Sequence, residues 1–151
     1  EPTHREIDGA FIDDDLTALL SYGGPLGQLV FNPPRGNRTW FIDAQLIEEV
    51  TAMTSDYVIA GGVKGVGGDV AKNWLTQINA ITRNDEISAL PFGSPSAYWI
   101  SKLSPGKSDF YLSYGAKRLT ALLNRQVNQM ADYPQLAYQK LKNSFNYKNT
   151  L

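Results

Sequence analysis

The sequence predicts an α/β domain built on a mostly parallel sheet of three to four strands, with flanking helices and a helical C-terminal third. Short apolar runs at 39–42, 57–60 and 86–90 alternate with segments of helical spacing, glycine and proline clusters separate them, and the last third keeps a helical period. Parallel neighbours need crossover connections, which strand–helix–strand order supplies.

Taken in order, Asp13-Asp14-Asp15 stand ahead of Leu16–Leu20 as acidic capping residues of a short helix. A calcium loop would need alternating oxygen ligands, a turn glycine and a distal Glu, none of which follows. Ser21-Tyr22-Gly23-Gly24-Pro25 ends that helix, and 24–31 fits helix or strand equally before the loop Asn32–Asn37. Thr39–Ile42 reads as a strand and Ala44–Met53 as a helix, with Leu46, Ile47, Val50 and Met53 on one face. Tyr57–Ala60 is the next strand. The glycine-rich stretch Gly61–Gly68 reads as a flexible connector into a helix capped by Asp69, with Val70, Trp74 and Ile78 on its apolar face. A phosphate cradle is disfavoured: no Gly-x-Gly-x-x-Gly can be read, and Gly68-Asp69 stands where a Walker loop needs Lys and Ser or Thr. Glu86–Leu90 is the third strand, and the loop Pro91–Ser96 leads into a short helix ending near Leu103. Asp109 to about Asp132 then reads as one helix on Leu112, Ala116, Leu119, Leu123, Val127 and Met130, with a second over 135–145.

A chain of 151 residues is about one domain's worth. The expected plan is a single domain, 1–151, with a flexible leader at 1–9, a βα region at 10–103 and a helical region at 104–151. The chain opens at Glu1 without a basic-then-apolar leader, and no apolar run is long enough to span a membrane. A processed chain or a fragment of a larger protein is therefore expected, with no membrane span in this segment.

Composition narrows the chemistry. With 14 Lys and Arg scattered against 15 Asp and Glu, no basic stripe offers itself to nucleic acid. The absence of cysteine excludes disulfides, zinc ribbons and thiol nucleophiles. The single histidine, His4, is expected to be a solvated residue of the leader, which argues against a Ser-His-Asp triad or a two-histidine metal site. No cofactor and no metal are expected.

Asp43 is the best-placed acid, because parallel sheets gather ligands and catalysis at the C-terminal ends of their strands. Glycan hydrolysis would need a second carboxyl about 5–9.5 Å away, with Asp56 or Asp69 as the candidates. Trp40 and Trp74 are expected in the core, and Tyr98-Trp99 on the surface.

The segments Thr39–Ile47, Met53–Tyr57, Asp69–Leu75 and Ile87–Pro95 together resemble a family of large actinobacterial membrane-anchored envelope proteins of unknown function. The family pattern is Trp-x-x-Asp-Pro-x-Leu-Leu, then Met-x-x-Gly-Tyr, then Ala-Leu-Pro-Tyr-Gly-Asp-Pro-Asp, and the similarity spans roughly 10–103. It implies an extracytoplasmic location and a fold resembling part of a polysaccharide-deacetylase or glycoside-hydrolase βα barrel. Two departures bear on function: Ala44 replaces the family proline, and Ser94 and Ser96 replace acids. Those serines remove metal ligands and acid/base partners, leaving hydroxyls for ligand contact or for capping the next helix. The function expected is a non-catalytic extracytoplasmic interaction or scaffold domain of a cell-envelope protein, binding glycan or a partner protein through Tyr98, Trp99, Ser94 and Ser96. The alternative is a glycan-active hydrolase using Asp43 as one of two carboxylates.

Overall fold

A computed structural model of the chain describes residues 4, 5 and 8–130. The helix expected at 135–145 lies outside the described residues. The elements run α1 (Asp15–Leu20), α2 (Pro25–Phe31), β1 (Thr39–Ile42), α3 (Ala44–Met53), β2 (Val58–Ile59), β3 (Val63–Lys64), α4 (Gly68–Ile81), β4 (Glu86–Ala89), α5 (Ala97–Leu103), α6 (Ser108–Leu123) and β5 (Asn128–Gln129).

β1, β4 and β5 form a parallel sheet in that order, with Thr39 opposite Glu86, Ile42 opposite Ala89, and Ala89 opposite Gln129. In the central strand β4, Ile87, Ser88 and Ala89 are all buried, as a parallel strand covered on both faces must be. The α/β class with a parallel sheet is thus observed. Among the described residues the sheet is open, with β1 and β5 at its edges. One cluster joins Leu16 and Leu20 of α1, Ile47 and Val50 of α3, Trp74 and Ile78 of α4, and Leu119 of α6.

Two strands depart from expectation. The run 57–60 does not join the parallel sheet, because Gly61 and Gly62, at φ 86° and 81°, fold β2 back onto β3 as a small antiparallel hairpin. The third parallel strand is β5, drawn from a stretch whose spacing reads as helix. Asn124 adopts the left-handed conformation (φ 49°, ψ 43°) and stops α6 after Leu123. Arg125 then donates from Nη1 to the Thr82 carbonyl (2.6 Å) and from Nη2 to the Asp85 carbonyl (3.0 Å). This grip on the α4–β4 junction lays 128–129 beside Ser88–Ala89. Residues 25–31 are helical, with Pro25 at the first position, where its missing N–H costs nothing.

The leader is tied down at residues 4 and 5, with His4 buried and Arg5 partly so. His4 is only 9% exposed, its N–H donates to Glu49 Oε1 (3.1 Å), and its carbonyl accepts from the Ile12 N–H (2.9 Å). Gly9 (φ 91°) turns the chain, so that Arg5 bridges to Phe11 and Phe11 pairs with Ile59.

The glycine stretch is open at Gly61 and Gly62 but packed at Gly65 and Gly67, and so is not a free connector throughout. A Cβ at Gly65 would lie 2.0 Å from the Tyr57 ring, and one at Gly67 would lie 1.9 Å from Thr17 Oγ1. The Tyr57 hydroxyl accepts from the Gly67 N–H (2.8 Å) and donates a short hydrogen bond to Asp14, whose carboxylate also accepts from Thr17 Oγ1 (2.9 Å). Asp14 therefore ties the start of α1 to the hairpin instead of capping through its side chain. Gly67, not Asp69, occupies the N-cap of α4.

Burial, and next the carboxylate of Asp14, push the Tyr57 hydroxyl above the usual phenol range. A pKa raised on folding contributes stability that is complete below the unfolded value of about 10 and is lost as pH climbs through the folded one. Tyr57→Phe is expected to cost about 1–2 kcal/mol at neutral pH. In urea melts, the gap between wild type and variant should narrow above about pH 10; a pH-independent gap would show that the phenol's ionisation is uncoupled from folding.

Candidate functional site

β1 delivers its last residue, Ile42, into the core, and the chain then stays extended for one more residue, Asp43 (φ −84°, ψ 127°), before α3 begins. An aspartate there satisfies an orphan donor of the first turn and places negative charge at the positive end of the helix. Asp43 Oδ1 accepts from the Gln45 N–H at 2.9 Å. It also accepts from the Gly93 N–H (3.0 Å), while Oδ2 accepts from Ser94 Oγ (2.9 Å). One carboxylate thus fastens the β1–α3 junction to the turn after β4.

That turn is closed by the Ser94 N–H donating to the Pro91 carbonyl (2.8 Å), with Gly93 at φ 71° and Ser94 at φ 42°. The Leu90 N–H donates to the Ile42 carbonyl (2.9 Å), carrying the β1–β4 pairing up to the loop. Below the clamp, Gln45 Nε2 donates to Glu49 Oε1 (2.9 Å), the same oxygen that receives the His4 N–H. Glu49 is 4% exposed. Sequence reading missed it by following only apolar residues, although Glu49 shares the face of Leu46, Val50 and Met53 at helical spacing.

At the C-terminal ends of β1 and β4 lies a pocket of about 250 Å³, walled by Trp40, Phe41, Leu46, Trp74, Ile78 and Leu90. Among the described residues, Asp43 and Ser94 are its polar members and Asp43 is the one carboxylate lining it. Asp56 and Asp69 are not brought to Asp43. Both line a separate open groove of about 660 Å³ with Lys64 and Lys72. Asp56 pairs with Lys64 at 2.7 Å, and that hydrogen-bonded ammonium holds its carboxyl below the usual range. Among the described residues, no group of three His, Asp or Glu could hold a metal ion.

The other singled-out residues divide. Trp74 is buried, and its indole N–H donates to the Leu26 carbonyl (3.0 Å). Trp40 is only half-buried, donating to Asp85 (2.7 Å) beneath the Arg38 guanidinium, which itself pairs with Asp85 at 2.8 Å. Ser96 occupies the N-cap of α5, but its side chain makes no capping bond. Tyr98 and Trp99 are 51% and 59% exposed, with rings 5.1 Å apart at 75°. No protein-family model, curated protein or solved structure matches the chain, so the site is known by its own residues alone.

Proposed function

We propose that this is a non-catalytic interaction or scaffold domain of an envelope protein, extracytoplasmic, and that it meets a protein partner through α5 and α6. The observation that carries this reading is the group of exposed large apolar side chains on those two helices: Tyr98, Trp99, Leu103, Phe110 and Tyr114. Trp99 and Leu103, like Phe110 and Tyr114, are spaced four apart and share a helix face, and clustered exposure of this kind marks interaction surfaces. Glycan is the weaker choice of ligand. Tyr98 and Trp99 pack nearly perpendicular, and Phe110 and Tyr114 stack on each other at 5.6 Å, so each ring spends part of its surface on its neighbour.

The family resemblance supports the location. The three parallel strands lie side by side in the order in which the chain visits them, with the β2–β3 hairpin set aside between β1 and β4; successive βα units of a barrel share that order, and we read the sheet as a sector of one. Asp43 spends its carboxylate on three structural hydrogen bonds, and among the described residues no second acid lines its pocket, which weighs against hydrolysis. A photo-crosslinker placed at Leu103 should give one discrete protein adduct in an actinobacterial envelope fraction, abolished by Trp99→Ala, whereas one at the exposed Val66 should give none. No adduct at Leu103 would count against the surface; sugar release from cell-wall glycan that vanishes in Asp43→Asn would establish the hydrolase instead.

A further inference from the structure

The pocket beside Asp43 is separate from the α5–α6 surface and has a chemistry of its own. Its walls are aliphatic and aromatic, and its polar edge is a carboxylate on a residue only 8% exposed. The three donors that Asp43 receives, two backbone N–H groups and one hydroxyl, are all neutral, and among the described residues no cation pairs with it. Oδ1 takes two of those bonds and Oδ2 only one, which leaves Oδ2 an open acceptor position; the hydroxyl of Ser94, used as a donor, also keeps acceptor capacity.

We propose that this pocket binds a small hydrophobic amine: a primary ammonium on an aromatic or branched apolar body of about ten heavy atoms, since its volume falls just under the usual range for ligand pockets. The ammonium brings the positive charge that the buried carboxylate lacks and donates to Asp43 Oδ2 and Ser94 Oγ. The aromatic rings of Phe41 and Trp74 give the apolar body of the amine surface to pack against, while the carboxylate of Asp43 selects its charge. Each competing class fails on one feature of the site. An anion meets the Asp43 charge, a sugar meets walls with too few polar groups, and a purely apolar molecule would strip water from the carboxylate without replacing it.

The probe is phenethylamine, titrated into the whole chain and followed by calorimetry and by tryptophan fluorescence, with Trp99→Phe used so that the signal comes from Trp40 and Trp74. The neutral isostere 2-phenylethanol and the anion 3-phenylpropionate serve as comparisons. The amine should bind about tenfold or more tightly than the alcohol, and the anion not at all. By calorimetry this comparison uses the unmodified protein, so it does not depend on any variant folding. Asp43→Asn should abolish the preference for amine over alcohol. Phe41→Ala, at a position 58% exposed, should weaken amine binding without disturbing the core. Equal binding of amine and alcohol, stronger binding of the anion, or no saturable binding of the amine would each overturn the proposal.

Discussion

Asp43→Ala is expected to destabilise the domain by about 2–4 kcal/mol, the sum of a lost N-cap and a half-buried donor left without its acceptor. The Gln45 N–H loses its cap, and the Gly93 N–H, held in a turn that cannot rotate away, loses its partner. Asp43→Asn keeps one side-chain oxygen for the two backbone donors, and the Ser94 hydroxyl can turn to accept from the new amide, so its cost should stay near 1 kcal/mol. The midpoint of urea unfolding measures both, and hydrogen exchange at Gly93 locates the damage. A structural clamp gives this graded pair, Ala far worse than Asn. Equal and small losses would mean that the carboxylate holds nothing together.

Gly115→Ala should cost about 2–3 kcal/mol despite the better helix propensity of alanine, because overpacking against backbone outweighs it. A Cβ there would sit 2.4 Å from the Leu90 carbonyl oxygen and 3.0 Å from the Phe92 nitrogen, neither of which is a flexible side-chain end. α6 would have to retreat from the loop that carries Gly93 and Ser94, and amine binding in the neighbouring pocket should weaken with it. Gly23→Ala is the matched control: nothing lies within 4 Å of its Cβ, and its midpoint should move by less than about 0.5 kcal/mol. Similar shifts for the two variants would show that α6 does not rest on that loop.

The parts of the molecule legible in sequence are those whose information is local. α3 runs Ala44–Met53 as its apolar spacing requires, β1 covers Thr39–Ile42, and Asp43 marks the change between them. The chain was misleading where a distant partner decides the outcome. Val127 and Met130 continue the period of α6, but Asn124 and the reach of Arg125 to Thr82 and Asp85 turn that stretch into a strand and its exit. Glycines 65 and 67 look like a connector because what presses on them is set by the fold: the Tyr57 ring reaches Gly65 only once the β2–β3 hairpin has turned the chain back, and Thr17, on Gly67, is far away in sequence. The site was half visible. Asp43 announces itself by position, whereas its bonds to Gly93 and Ser94, and the burial of Glu49 and His4, exist only after the chain has folded.

The register of the parallel sheet also bears on the order of assembly. β1 meets β4 across 47 positions, as in Thr39 against Glu86, and β4 meets β5 across 40, as in Ser88 against Asn128, so both pairings close long loops before any sheet contact repays the entropy. The α1–α2 contact and the β2–β3 hairpin need only short closures and can form early. The pocket and its carboxylate clamp draw on both β1 and the turn after β4, so they are expected to be complete only once the long β1–β4 loop has closed. Until the β1–β4 pairing closes, the edges of those two strands lack their parallel partners and are open to strands of other chains.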